Sequence, residues 1–330
     1  GTTINQGLSD QAREVFLADM DSDGDLDIVV SSSKDNTVAW FENDGAANPG
    51  FSHANIATNA RGGADVVVAD MDADGDLDIV SASSGDDTIA WYENDGAANP
   101  TWSSEDIATS ANGAYSVDVA DMDGDGDLDI VSASDTDNTI AWYEHDGTSD
   151  PSWSAANIAT NVDGARGLSV ADMDGDGDFD IVSAARDDDA IDWFENDGAA
   201  DPTWTKANIA TTADGALDAK VADMDGDGDM DIISASHLDD TIAWYENDGA
   251  ADPTWTAANI ATDADGAVDL EAADMDGDGD MDIVAGSRLD DTVSWYENDG
   301  AANPSWTAVD IDTSGDWVRD VHIGDLDGDG

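Results

Sequence analysis

Apolar residues in this chain come in short runs bounded by turn residues, and no segment shows helical spacing. The stretch from Arg166 to Thr211 displays the pattern. The run ARGLSVAD predicts a first strand, A, which leads into an acidic loop. Asp180–Ala185 (DIVSAA) predicts strand B, Arg186-Asp187-Asp188-Asp189 a tight polar turn, and Ala190–Asn196 (AIDWFEN) strand C. The connection DGAADPTW carries glycine and proline as turn markers and leads to strand D, expected around Lys206–Thr211. Connections this short suit antiparallel hairpins. Strand C is apolar on both faces: in the second unit Ile89 and Trp91 point one way, Ala90 and Tyr92 the other. A strand buried on both sides fits a sheet sandwiched between two like sheets, and fits poorly with a sheet that has one wet face.

The unit repeats. Its acidic loop begins at Asp19, Asp70, Asp121, Asp172, Asp223, Asp274 and Asp325, and successive starts differ by 51 throughout. A period near 50 points to a propeller or solenoid, and repeated four-stranded units predict an all-β fold, the β-propeller. Six complete blades are expected at residues 13–58, 64–109, 115–160, 166–211, 217–262 and 268–313. A seventh is represented by its ends: residues 317–330 read as a strand A with half a loop, and residues 1–6 resemble a strand D. The chain thus reads as one propeller domain, residues 1–330, whose last blade lacks strands B and C. Either the chain is truncated or a neighbouring molecule supplies them.

Within each loop, carboxylates alternate with small or apolar residues, as in Asp172-Met173-Asp174-Gly175-Asp176-Gly177-Asp178-Phe179-Asp180. This is the front of an EF-hand-type calcium loop, with side-chain oxygens from positions 1, 3 and 5, a backbone carbonyl from position 7 and a glycine at 6 for the turn. An aspartate at position 9 would close the shell. One such match is a moderate signal; seven in register are a strong one. The candidate ligands are Asp19, Asp21, Asp23, Asp25 and Asp27 in the first loop and Asp70, Asp72, Asp74, Asp76 and Asp78 in the second. The third and fourth loops offer Asp121, Asp123, Asp125, Asp127, Asp129, Asp172, Asp174, Asp176, Asp178 and Asp180. The fifth and sixth offer Asp223, Asp225, Asp227, Asp229, Asp231, Asp274, Asp276, Asp278, Asp280 and Asp282. Asp325, Asp327 and Asp329 belong to the seventh, which stops before position 7.

Four side-chain carboxylates in one loop make six repulsive pairs, each costing roughly 1–3 kcal/mol at about 5 Å. An empty loop therefore carries about 5–20 kcal/mol of repulsion before relaxation, comparable to a domain's net stability. Ca²⁺ is expected to act as a folding cofactor, with the metal-free chain loosened or unfolded. Mg²⁺ is the weaker alternative, because it dehydrates reluctantly and prefers fewer protein ligands.

The loops, the following D-I-V-S-A-S (Asp78–Ser83, Asp129–Ser134) and T-I-A-W-Y-E-N-D-G (Thr88–Gly96, Thr241–Gly249) resemble the FG-GAP/VCBS repeat family. That family's repeats also build integrin α-subunit heads and parts of large secreted bacterial proteins. The resemblance spans the chain and implies an extracellular propeller used for adhesion or as a scaffold. It implies Ca²⁺ at the A–B loops, held in the fourth unit by Asp172, Asp174, Asp176, the Asp178 carbonyl and Asp180.

Composition agrees and adds constraints. The 330 residues include 78 acidic and 9 basic ones, for a net charge of −69. The loop motifs hold 33 of those acids, and six Ca²⁺ would bring the charge only to −57. The remainder suits a salt-rich extracellular setting, where screening tolerates self-repulsion. Nucleic acid and anionic membrane are poor partners for such a surface. There is no cysteine, so disulfides cannot staple the fold, and metal can take that role. No apolar run approaches the roughly 18 residues needed to span a bilayer. The chain begins at Gly1 without a signal peptide, which is expected of a processed or trimmed chain.

Trp40, Trp91, Trp142, Trp193, Trp244 and Trp295 recur on strand C, and Trp102, Trp153, Trp204, Trp255 and Trp306 lead into strand D. Their fixed places predict inter-blade core; sugar-stacking platforms are the sharper reading and would require exposure. In an up-and-down blade the acidic loops share one face, and most basic residues fall on the other. Arg13, Arg166 and Arg319 occupy one repeat position there, with Tyr115 as their equivalent in the third unit, and make the best candidate ligand face. Local pairing with neighbouring aspartates is the plainer explanation. His53, His145, His237 and His322 fall at unrelated repeat positions, and no nucleophile or phosphate-loop motif is present, so an enzyme is not expected. The sequence therefore predicts a secreted or cell-surface, calcium-stabilised structural or adhesion module. Its partner would be an extracellular protein, a glycan or a second copy joined through open strand edges. A carbohydrate-binding lectin on the same fold is the alternative.

Overall fold

The 51-residue period of the sequence is also the period of the structure, a computed structural model that describes residues 12–149, 151–315 and 317–328. Each of six repeats folds as a four-stranded antiparallel sheet, its strands lying side by side in chain order. Blade 1 comprises strand A (Ala12–Ala18), strand B (Asp27–Ser32), strand C (Thr37–Asn43) and strand D (Phe51–Ala57). There is no helix among the described residues. The fold is the expected all-β propeller architecture, with six blades.

The chain divides into two compact units. One comprises residues 1–119, 126–157 and 322–330, with blades 1 to 3; the other comprises residues 120–125 and 158–321, with blades 4 to 6. In the first, Met20, Val29 and Trp40 of blade 1 pack against Val66, Ile79 and Tyr92 of blade 2. In the second, Met224, Ile233 and Trp244 of blade 5 pack against Leu270, Ile283 and Tyr296 of blade 6. Strand B is buried along its whole length in blades 2 to 6, and strand C is buried on both faces in blades 1 to 5, as its composition predicts. Trp40, Trp91, Trp142, Trp193 and Trp244 are all buried. Trp102, Trp255 and Trp306 are half-buried and lean on the same cores, so these tryptophans are packing elements.

Strand D starts earlier than expected. In blade 4 it runs Trp204–Ala210, not Lys206–Thr211, because Trp204 is itself paired with Asn196 at the end of strand C. The B–C turn is closed by a residue in the left-handed region, at φ 58° for Asn36, 61° for Asp87 and 58° for Asp240. Asn and Asp tolerate that conformation, and their side chains are put to use. Asp87 Oδ1 accepts from Gly113 N–H at 2.9 Å, and Asp240 Oδ1 accepts from Gly266 N–H at 2.9 Å, tying each turn to the start of the next blade.

No strand of the expected seventh blade is found among the described residues. Residues 317–328 contain no strand, and the expected strand D at residues 1–6 lies outside the described residues. The 317–328 segment nevertheless keeps repeat register. Val321 N–H donates to Asp269 Oδ2 at 2.7 Å, as Val117 N–H donates to Asp65 Oδ2 at 2.8 Å in the other unit.

Candidate metal centres

Each of the six complete acidic loops is strung between the end of strand A and the first residue of strand B, and its shape is set by two left-handed positions. Position 6 is glycine in all six complete loops, with φ from 99° at Gly24 to 102° at Gly279, conformations that side chains rarely adopt. Position 4 is also left-handed: glycine at 124, 175, 226 and 277, but Ser22 and Ala73 at φ 60° and 58° in the first two loops. The resulting coil turns main-chain N–H groups inward onto the carboxylates. In the fourth loop Asp172 Oδ1 accepts from Gly175 and Asp176 N–H at 2.8 and 3.2 Å, and its Oδ2 from Gly177 N–H at 3.0 Å. Asp174 Oδ1 accepts from Asp176 N–H at 3.2 Å, and Asp176 Oδ1 from Asp178 N–H at 3.0 Å.

These bonds hold the acids at positions 1, 3 and 5 facing one centre. Oxygens of Asp19, Asp21 and Asp23 all lie within 4.8 Å of one another, as do those of Asp70, Asp72 and Asp74, of Asp121, Asp123 and Asp125, and of Asp172, Asp174 and Asp176. In the fifth loop the group is Asp223, Asp225 and Asp231, so position 9 reaches the same centre. Two oxygens that share one Ca²⁺ at about 2.3–2.6 Å can be at most about 5 Å apart, and the observed spread fits. Asp21 Oδ1 is buried without a hydrogen-bond partner, an orphaned acceptor of the kind a cation satisfies. Burial, and then the neighbouring carboxylates, raise the carboxyls of Asp21, Asp72, Asp174 and Asp225 above their ordinary range. The arrangement concentrates negative charge where hard oxygen ligands converge.

Positions 7 and 9 differ in how they are used. A Cβ on Gly45, Gly96, Gly198, Gly249 or Gly300 would collide with the carboxylate of Asp25, Asp76, Asp178, Asp229 or Asp280. The position-7 side chain thus lies over a glycine of its own C–D connection, which leaves the main-chain carbonyl as that residue's expected ligand. Asp27, Asp78, Asp180 and Asp231, at position 9, are fully buried beneath the loop. Asp27 Oδ2 accepts from Met20 N–H at 3.1 Å and Trp40 Nε1–H at 2.9 Å, while its Oδ1 accepts from Asn43 N–H at 2.7 Å. Position 9 therefore pins the loop to strand C as well as facing its interior. Burial outweighs these donors and pushes Asp27 and Asp231 to about 6, and Asp78 and Asp180 to about 7. In the seventh loop Asp325 Oδ1 accepts from Gly328 N–H at 2.8 Å, the same first contact as in the fourth; Asp329 lies outside the described residues.

One contributor is absent from the sequence reading. The asparagine closing strand C donates from Nδ2 to two carbonyls: that of position 8 in its own loop, and that of position 2 in the preceding loop. Asn94 reaches Leu77 and Met20 at 3.0 Å each; Asn298 reaches Met281 at 3.0 Å and Met224 at 2.8 Å. Asn43 makes the corresponding bond to Leu326, at 3.0 Å. Recurrence of this residue every 51 positions, with His145 as the exception, was the available signal.

The candidate ligand residues on the other face are half-buried and engaged within the protein. The Arg13 guanidinium stands 5.1 Å over the Tyr115 ring, so equivalent positions of blades 1 and 3 meet. Arg319 stands 5.4 Å over Trp317, which Arg288 also approaches at 5.6 Å. Arg186, through a direct hydrogen bond, holds the Asp187 carboxyl below its usual range, with Arg166 adding a smaller attraction. The histidines stay dispersed: His53 packs on Phe41, His145 on Trp153 and His322 on Phe16.

A profile of the FG-GAP-like repeat matches residues 19–81, 70–132, 121–183, 172–234, 223–285 and 274–330, each match running from one acidic loop into the next. The chain belongs to the FG-GAP-like repeat family. A search of curated protein sequences finds no match. Among solved structures, this FG-GAP-like repeat propeller is similar to a protein from Lactobacillus plantarum, at 15% identity and TM-score 0.66 over 93% of this chain and 86% of that one. It is similar to the biofilm matrix protein Bap1 of V. cholerae at 13% identity and TM-score 0.53, over 96% of this chain and 72% of that one. A periplasmic gluconolactonase of Pseudomonas aeruginosa aligns at 12% identity and TM-score 0.60, over 92% and 87% of the two chains. At such identities the likeness is one of fold.

Proposed function

We propose that this FG-GAP-like repeat protein binds Ca²⁺ in its A–B loops, that the bound ions hold the propeller folded, and that it serves outside the cell as a structural or adhesive module. The observation that carries the reading is the convergence of carboxylates within 4.8 Å, at positions 1, 3 and 5 in the first four loops and at positions 1, 3 and 9 in the fifth. The chain's own residues do three things. Main-chain N–H groups aim the carboxylates, the buried position-9 aspartate anchors the loop, and the strand-C asparagine ties it to its neighbour. A bound divalent cation would supply the positive charge that offsets their mutual repulsion. The extracellular part of the reading is supported by the net charge of −69, which suits a high-salt medium. The fold itself occurs in a matrix protein and in a gluconolactonase alike, so it does not choose between roles.

Calorimetry on the chelated and the calcium-saturated protein tests this. Each ion held at about 100 times its Kd adds about 2.7 kcal/mol, so several sites should move the melting temperature by tens of degrees. An unchanged melting temperature sinks the proposal. Asp174→Ala should remove one Ca²⁺ from the titrated stoichiometry and leave the other sites filled.

A further inference from the structure

Blade 4 differs from its siblings at two positions that face each other. Asp192 on strand C stands where the other blades have Ala39, Ala90, Ala141, Ala243 and Ser294. Lys206 on strand D stands where they have His53, Ser104, Ala155, Ala257 and Ala308. Asp192 pairs in register with Asn208, and Lys206 with Phe194, which puts all four on one face of the sheet. Lys206 Nζ lies 2.8 Å from Asp192 Oδ2 and 5.7 Å from the centre of the Phe194 ring. The Asp192 side chain is wholly buried, and neither of its oxygens has an aligned hydrogen-bond partner. Burial pushes its carboxyl up, and Lys206 pulls it back down.

Such a pair is costly. Desolvating two charges is repaid only when the remaining lone pairs and protons are also satisfied, and an apolar replacement often does as well or better. The five sibling blades fold without it. What distinguishes blade 4 is that the half-buried Lys206 of this pair opens onto a cavity of about 330 Å³, lined also by Asn161, Asp188, Asn208 and Thr211. That volume lies at the small end of the roughly 300–1,000 Å³ range of small-molecule sites. The lining offers an ammonium, two amides and a hydroxyl as donors, and carboxylates, amides and a hydroxyl as acceptors. In a chain of net charge −69 an anion is disfavoured. A neutral molecule with adjacent hydroxyl groups matches the alternation of donors and acceptors.

We propose that this pocket is a carbohydrate site, in which Lys206, held in place by the buried Asp192, donates to one hydroxyl of a neutral saccharide and the exposed Asp188 carboxylate accepts from its neighbour. Specificity would follow from the buried polar groups, which are left unpaired by any ligand that lacks those hydroxyls. The Asp192–Lys206 pair is found in one of the six blades, which predicts monovalent binding, in contrast to a lectin with one site per blade. The proposal does not rest on the adhesive reading, and the loop aspartates take no part in it.

The test is saturation-transfer NMR on the calcium-saturated full chain. The probes are millimolar methyl α-glucoside, α-mannoside and α-galactoside, with free alanine as a zwitterionic comparison. The key variant is Asp192→Ala/Lys206→Ala, which reproduces the Ala pairs of blades 3 and 5 and so has a precedent for folding in this chain. The expected result is transfer to at least one glycoside in the wild type, lost in the double variant while calcium stoichiometry and melting temperature are retained. Equal transfer in both proteins, or none in the wild type, overturns the site. Transfer to alanine alone overturns the ligand class. Because the variant spares every loop aspartate, loss of the calcium response would be read separately.

Discussion

Asn247 Nδ2 donates to the carbonyl of Met173 at 2.8 Å, 74 residues earlier and in the preceding blade's acidic loop, and to Met230 of its own loop at 3.0 Å. Its Oδ1 accepts from Gly249 N–H at 3.1 Å, so one buried amide uses both of its donors and one acceptor position. Adjacent acidic loops are therefore joined through a single side chain.

Replacing that side chain should be felt at two centres. Asn247→Ala strands one buried and one half-buried carbonyl and is expected to cost about 1–3 kcal/mol, read as a lower melting temperature in saturating calcium. In a calcium titration the fourth and fifth loops should both weaken. Weakening of one alone would show that the asparagine packs the blade without coupling the loops.

His145 occupies the same place in blade 3. Its Nδ1 accepts from Gly147 N–H at 3.0 Å, which imitates the asparagine's oxygen, but its Nε2 is buried without a partner. An imidazole cannot present two donors from one atom to two carbonyls. His145→Asn should gain two hydrogen bonds worth roughly 0.5–1.5 kcal/mol each and lose an edge contact with Trp153 at 5.0 Å. A net gain of about 1 kcal/mol in chemical denaturation is expected; a loss would place the Trp153 contact above the clamp.

Ala73 sits at φ 58° where later loops have glycine. A left-handed alanine costs about 1–2 kcal/mol, and glycine returns part of that to unfolded-state entropy. Ala73→Gly should therefore stabilise the protein by about 0.5–1 kcal/mol, with a steeper calcium response in the second loop. Destabilisation would mean that the loop's rigidity matters more than its strain.

The C–D connections supply an acid limb to stability. Asp146 accepts from the Ser152 and Thr148 hydroxyls, which hold its carboxyl down at about 2. With the folded value below the unfolded one near 3.8, the contribution is complete above pH ~4 and disappears as pH falls toward 2. The melting temperatures of wild type and Asp146→Ala should differ at pH 6 and converge by pH 2. A difference that is constant with pH would assign the effect to the neutral hydrogen bonds.

The blades were legible because their information is local. Val80 and Trp91 declare buried strands through composition, and Gly75 declares a turn that a side chain would resist. The acids at positions 1, 3 and 5 of the second loop, Asp70, Asp72 and Asp74, were legible as a converging set for the same reason: residues two apart in a coil anchored by Gly75 have few other ways to point. The sequence by itself thus determined the repeat, the six sheets and the acidic centres. Only the tertiary structure decided that Asn94 grips the loop before its own, that Asp27 is pinned from below by Trp40, that Arg13 stacks on Tyr115, and that Asp192 and Lys206 share a cavity. Each of these depends on which side chains from different strands or blades arrive within a few ångströms of one another, and a hydrogen bond or ion pair is sensitive to that separation in a way no spacing along the chain records.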